Sequence, residues 1–148
     1  MSLQKVGKII ELFYSTSDGR MNPHSLSFDV KGVLKDKFYN TNVLRSVLIA
    51  SLDSYELAKE HGIDAPYNSL GENILIDYNP YFLKPGAQIM IGDIVLEISQ
   101  NCTICNSLAK VDAALPKILK DDRGIFAKVI QSGTIKQGDD VYLLTSSS

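Results

Sequence analysis

Short runs in which apolar and polar residues alternate recur along this chain, punctuated by glycine turns. Ser25-Leu26-Ser27-Phe28-Asp29-Val30 shows the pattern most clearly, every second side chain being apolar, as in a strand with one buried face. Comparable runs at 6–14, 47–50, 73–78, 87–91, 94–99, 126–131 and 141–144 predict further strands. Ile91-Gly92-Asp93-Ile94 sets Gly-Asp between two of them and predicts a two-residue hairpin, because glycine takes a positive φ without strain. Gln137-Gly138-Asp139-Asp140 repeats the device, and the stretches beginning at Gly86 and Gly133 look alike, so a second hairpin of similar geometry is expected before the last strand.

Two segments carry helical spacing instead. Residues 52–61 begin at Ser51 or Asp53, set Leu52, Tyr55, Leu57 and Ala58 on roughly one side, and stop at Gly62. Residues 106–120 place Leu108, Val111, Leu115, Ile118 and Leu119 three and four apart, with Pro116 expected to kink or split the helix. Strands and helices do not alternate throughout, so a parallel doubly wound sheet is not expected. The pattern predicts a mainly β protein with a few helices: a closed or nearly closed, largely antiparallel β-barrel with helices at its rim.

Composition narrows the function classes. The 148 residues suit one domain, 1–148, with its core at about 5–144. Apolar residues make up 45% and charged residues 22%, ordinary values for a globular protein. A formal charge of −2 lacks the basic excess of a nucleic-acid binder. No run approaches the ~18 apolar residues of a membrane helix, and no secretory signal opens the sequence. The two cysteines, three positions apart, are too close to staple a fold, which points to the cytoplasm. Residues 1–3 and 146–148 show no pattern that assigns them to an element.

Cys105 is the candidate chemical centre. It sits where a strand-like run gives way to a helical one, and a helix N-terminus favours thiolate over thiol. Thiolate is the form that binds soft metals or carries sulfur. Cys102 completes Cys-x-x-Cys, open to three readings: a plain substitution, a reversible disulfide, or half a zinc site. A zinc site needs four ligands, and only His24 and His61 remain, both distant in sequence. His24 reads as a turn residue and His61 as a helix-end cation. Glu72 and Asn73 could simply cap a turn, and Tyr78, Tyr81 and Phe82 suit core or rim packing. No Ser-His-Asp triad, Walker loop or dinucleotide fingerprint is present.

Three stretches, read together with the glycine turns, resemble a known family. They are Ser69-Leu70-Gly71-Glu72-Asn73-Ile74, the run from Ile98 through Cys102 and Cys105 to Leu108, and Arg123-Gly124-Ile125-Phe126-Ala127-Lys128-Val129-Ile130. In order and spacing the set is similar to the MOSC domain, named for the C-terminal part of molybdenum cofactor sulfurases. The resemblance implies a β-rich barrel associated with the molybdenum cofactor and sulfur transfer. It makes Cys105 the catalytic thiolate, either ligating molybdenum held by a pterin dithiolene or carrying sulfur as a persulfide. It carries over Gly71, Glu72 and Asn73 as a site loop, Arg123 as part of a neighbouring turn, and Arg45 as a basic residue before a strand. With Lys37, Arg45 and Arg123 would offer positive charge to a pterin phosphate.

The chain departs from the family pattern twice. A Gly-Asp-Arg-His-like stretch becomes Lys35-Asp36-Lys37-Phe38, with phenylalanine in the histidine's place, and Cys102 stands where an arginine often precedes the cysteine. The activity the resemblance implies is sulfur transfer or molybdenum-dependent reduction, with a sulfur or electron donor protein as partner. A non-catalytic ligand- or partner-binding barrel is the alternative, and a redox-sensing dithiol the third reading.

Overall fold

The computed structural model describes residues 2–102 and 108–145, and of Thr145 the backbone alone. Its centre is a closed seven-stranded barrel in the order β1 (Ser2–Leu12), β12 (Asp140–Thr145), β8 (Gln88–Ile91), β9 (Ile94–Asn101), β10 (Ile125–Gln131), β6 (Val47–Ser51) and β7 (Ile74–Ile76). All neighbours pair antiparallel except β6 and β7, whose register joins Ile49 to Ile74 in parallel. A parallel pair requires a crossover. Helix α1 (Leu52–Glu60) supplies it, so one β-α-β unit is built into a barrel expected to be largely antiparallel. Two small sheets flank the barrel: β2 (Tyr14–Thr16) with β3 (Gly19–Met21), and β11 (Gly133–Lys136) with β4 (Ser25–Asp29) and β5 (Gly32–Val33).

Burial explains the sequence patterns. Strand β9 alternates buried and half-buried residues, with Ile94, Leu96 and Ile98 turned into the barrel. Strands β6 and β7 are buried on both faces, which is why they read as unbroken apolar runs. Val47, Ile49, Ile74 and Ile76 fill the barrel, while Ala50 and Leu75 face a second cluster with Tyr55, Ala58, Leu108, Leu115 and Leu119. That outer cluster seats α1 and two short helices, α2 (Leu108–Val111) and α3 (Leu115–Ile118). Pro116 lies in the first turn of α3, where its missing N–H costs nothing, and the predicted long helix is split just before it, between Val111 and Leu115. Ser51 caps α1, its hydroxyl accepting from the Asp53 amide at 3.1 Å, and the helix ends at Gly62 with φ +77°.

The turn at Gly92-Asp93 joins β8 to β9 as a hairpin, with Ile91 opposite Ile94. The turn at Gly138 differs from expectation. Strand β11 pairs with β4 rather than β12, and the Gly138 amide donates to the Ile9 carbonyl, so this turn carries the chain from one sheet to another. Ser2 and Leu3, which show no pattern of their own, pair with Thr145 and Leu144 at the end of β1.

Candidate functional site

A cavity of about 700 Å³ opens beside the barrel, walled by the β2–β3 hairpin, the loop at 36–38, the turn preceding β6, and the loop at 70–73. Lys37, Arg45, Gly71 and Asn73, four of the residues singled out in the sequence, line it together with Cys102 and Phe126. Arg20, in β3, lines it as well. No sequence motif marked Arg20: it sits in a three-residue strand exposed throughout, and only the fold brings it to this wall.

Each wall is fixed by backbone chemistry. The Asp36 carboxylate accepts from the Ser15 amide at 2.8 Å and the Phe38 amide at 3.0 Å, while the Lys37 amide donates to the Ser15 carbonyl at 2.7 Å. Together these dock the 35–38 turn on β2. Lys35 holds φ +73°, a conformation glycine takes freely. Arg45 ends a short 3₁₀ turn, Val43–Arg45, and its guanidinium carbon lies 5.2 Å from the centre of the Phe126 ring. The Gln100 amide, oriented by its partners, accepts from Arg45 Nε at 3.1 Å and Nη2 at 3.3 Å.

The 71–73 loop divides its labour. Gly71, at φ +80°, faces open space at the cavity. Glu72 turns the other way into the interior, 1% exposed, where its carboxylate accepts from the Tyr55 hydroxyl at 2.6 and 2.9 Å and from the Asn68 amide at 3.1 Å. Burial raises its pKa above the ordinary 4.5, and the Tyr55 hydrogen bond opposes the shift. Asn73 Oδ1 accepts from the Leu48 amide at 3.0 Å, and Nδ2 donates to the Phe13 carbonyl at 3.2 Å. The asparagine thus lines the cavity while bridging β6 to the residue after β1.

Arg123 lies elsewhere. Its Nη2 donates to the Pro116 carbonyl at 2.5 Å, fastening the turn before β10 to α3, and it does not line this cavity. Cys105 falls in 103–107, outside the described residues. Cys102, 6% exposed, lines the cavity, and its amide donates to the Gly124 carbonyl at 3.0 Å.

The cavity's electrostatics are one-sided. Arg20, Lys37 and Arg45 line it, and the ion pairs found among the described residues involve other lysines, Lys5 with Asp140 and Lys128 with Glu97. Asp36, the one acidic residue in the lining, spends both oxygens on amides. A region of net positive charge in a protein of formal charge −2 attracts anions.

Residues 37–142 match the model of the MOSC domain. The chain belongs to this family. Among solved structures the MOSC protein resembles the YuaD protein from Bacillus subtilis, at 16% identity and a TM-score of 0.85 over 99% of both chains. It also resembles YiiM from Escherichia coli, at 16% identity and a TM-score of 0.70 over 95% of this chain and 71% of that one. YiiM from Geobacillus stearothermophilus, at 15% identity and a TM-score of 0.67, covers 97% and 76%. At such identities these likenesses concern the fold. A comparison with curated protein sequences finds no match. Among the described residues no helix is long and apolar enough to cross a membrane.

Proposed function

We propose that this MOSC protein handles the molybdenum cofactor, binding its phosphate-bearing pterin in the cationic cavity and using Cys105 as the thiolate that ligates the metal or carries sulfur. The observation that carries the reading is the cavity itself: three cations and a cysteine converge beside the 71–73 loop. The donor set suits this group. Among the described residues no three His, Cys, Asp or Glu side chains come together to hold a bare metal ion. A metal that arrives already held by a dithiolene needs only one thiolate from the protein. Cys105 follows Cys102, which lines the cavity, by three residues in the sequence.

In this reading Arg20, Lys37 and Arg45 neutralise the phosphate, Gly71 lets the loop backbone approach the ligand, and Glu72 supports that loop from behind. When bound, the cofactor would supply the redox or sulfur-accepting centre. The protein would hold it and present a sulfur anion. Electrons or sulfur would come from a donor protein.

The test is metal and mass analysis of protein expressed with abundant molybdate in a cofactor-producing host. Stoichiometric molybdenum, or one extra sulfur on Cys105, is expected; the Cys105→Ser variant should lose it with an unchanged circular dichroism spectrum. Absence of both from the wild-type protein sinks the proposal. A non-catalytic ligand-binding barrel would then stand, a reading favoured by Phe38, whose ring lines the cavity at 58% exposure in place of a histidine.

A further inference from the structure

A second cavity, of about 440 Å³, opens between α1 and the loop that follows it, and it shares no lining residue with the cationic one. Leu52, Tyr55, Glu56 and Lys59, three and four apart along α1, form one wall. The loop supplies the other with Asp64 and Tyr67. Both walls are set by backbone bonds. The chain leaves α1 by a turn in which the Gly62 amide donates to the Lys59 carbonyl at 2.9 Å and the Ile63 amide to the Ala58 carbonyl at 3.0 Å. The Ser69 amide then donates to the Pro66 carbonyl at 3.1 Å, closing a turn over Tyr67 and Asn68, the latter at φ +74°. The Tyr55 hydroxyl is tied to the Glu72 carboxylate, and its ring meets that of Tyr67 edge-on, centroids 5.1 Å apart. A cavity so fixed loses little entropy when it is filled.

The lining is aromatic, aliphatic and acidic at once. Tyr55 is 8% exposed and Tyr67 47%, so one ring is sealed in the wall while the other reaches solvent. Glu56 and Asp64 are exposed carboxylates with no hydrogen-bond or ion-pair partner among the described residues. Lys59, one turn along from Glu56, pairs with neither of them. Residues 52–64 carry Asp53, Glu56, Glu60 and Asp64 against Lys59 alone, so this cavity attracts cations where the other attracts anions. A bare metal ion is a poor occupant, because no three His, Cys, Asp or Glu side chains come together among the described residues. An ammonium carried on an apolar arm fits better. Its charge suits the carboxylates and the tyrosine faces, and its arm suits Leu52, Ala65 and Pro66.

We propose that this second cavity binds a small organic amine, its ammonium held by Glu56 and Asp64 and its apolar arm by Leu52 and the tyrosine pair. The site stands apart from the cofactor reading, since it uses neither Cys105 nor any residue of the cationic cavity.

Amide NMR shifts of the full chain titrated with phenethylamine at low salt test the site, with 2-phenylethanol as the uncharged control and phenylacetate as the anionic one. Saturable shifts gathered at residues 52–67 are expected, and both controls should bind several-fold more weakly. The double variant Glu56→Gln, Asp64→Asn should weaken amine binding roughly three- to thirtyfold, as two exposed charge pairs do. Tyr67→Leu keeps an apolar wall without the π face and should cost about two- to fivefold. Lys59→Gln removes a like charge and should tighten binding, a gain that loss of structure would not produce. All these positions except Tyr67 are exposed charges on the rim, and an unchanged amide spectrum of each free variant confirms that it folds. Absence of saturable shifts at 52–67, equal binding of either control, or indifference of the double variant each overturns the proposal. Saturation at 52–67 by an uncharged-terminus lysine peptide but not by phenethylamine overturns it too, in favour of a protein partner.

Discussion

Glu72 lies between two residues that line the cavity, yet its own side chain serves the interior. Sequence marks Gly71-Glu72-Asn73 as one loop, but side-chain direction is set by the backbone: the turn at Gly71 sends the next carboxyl inward to Tyr55. Burial raises the pKa of Glu72 in the folded state, so the folded protein holds a proton there that the unfolded chain releases. Stability is then highest below the unfolded value, near 4.5, and declines as pH rises from there towards the folded value. Glu72→Gln removes that slope. Urea melts at a series of pH values from 4 upwards should show a decline in the wild type that is flattened in the variant; identical slopes would mean that Glu72 stays ionised in its pocket.

At the scale of elements, the β6-α1-β7 unit depends on a side chain acting as backbone. Asn73 supplies an acceptor for the Leu48 amide and a donor for the Phe13 carbonyl. Asn73→Ala orphans both groups at buried positions and should cost about 2–6 kcal/mol at roughly 1–3 per unsatisfied group. A fall in urea midpoint with unchanged m-value is the expected signature, and a midpoint within error of wild type would refute the bridging role. Local signals gave most elements: alternation marked the barrel strands, Pro116 marked the break between α2 and α3, and Gly62 marked the end of α1. The Gly138 turn was misread as a hairpin because glycine-aspartate chemistry specifies a tight turn and not the strand that follows it. Strands β2, β3 and β5 are two or three residues long, too short for any periodicity to show.

For the whole molecule, the formal charge of −2 hides a cationic cavity. Arg20, Lys37 and Arg45 act together only at short range and near water, so anion binding there should weaken as sodium chloride shortens the Debye length from about 10 Å at 0.1 M to about 3 Å at 1 M. Phosphate affinity is expected to fall several-fold over that interval. Affinity independent of salt would show that neutral contacts carry the binding.

Local patterns along the chain were enough for the barrel class, the positions of most strands, the two helical regions and the family-like order of motifs, because alternation, glycine turns and proline act over a few neighbouring residues. The sequence also placed Lys37, Arg45, Gly71 and Asn73 in one candidate site through their resemblance to a family pattern. Long-range packing set β6 and β7 parallel, turned Glu72 inward, fastened Arg123 to α3, and brought Arg20 and Cys102 to one cavity. These are contacts between segments far apart along the chain, and they follow from how the barrel closes, which no local pattern encodes.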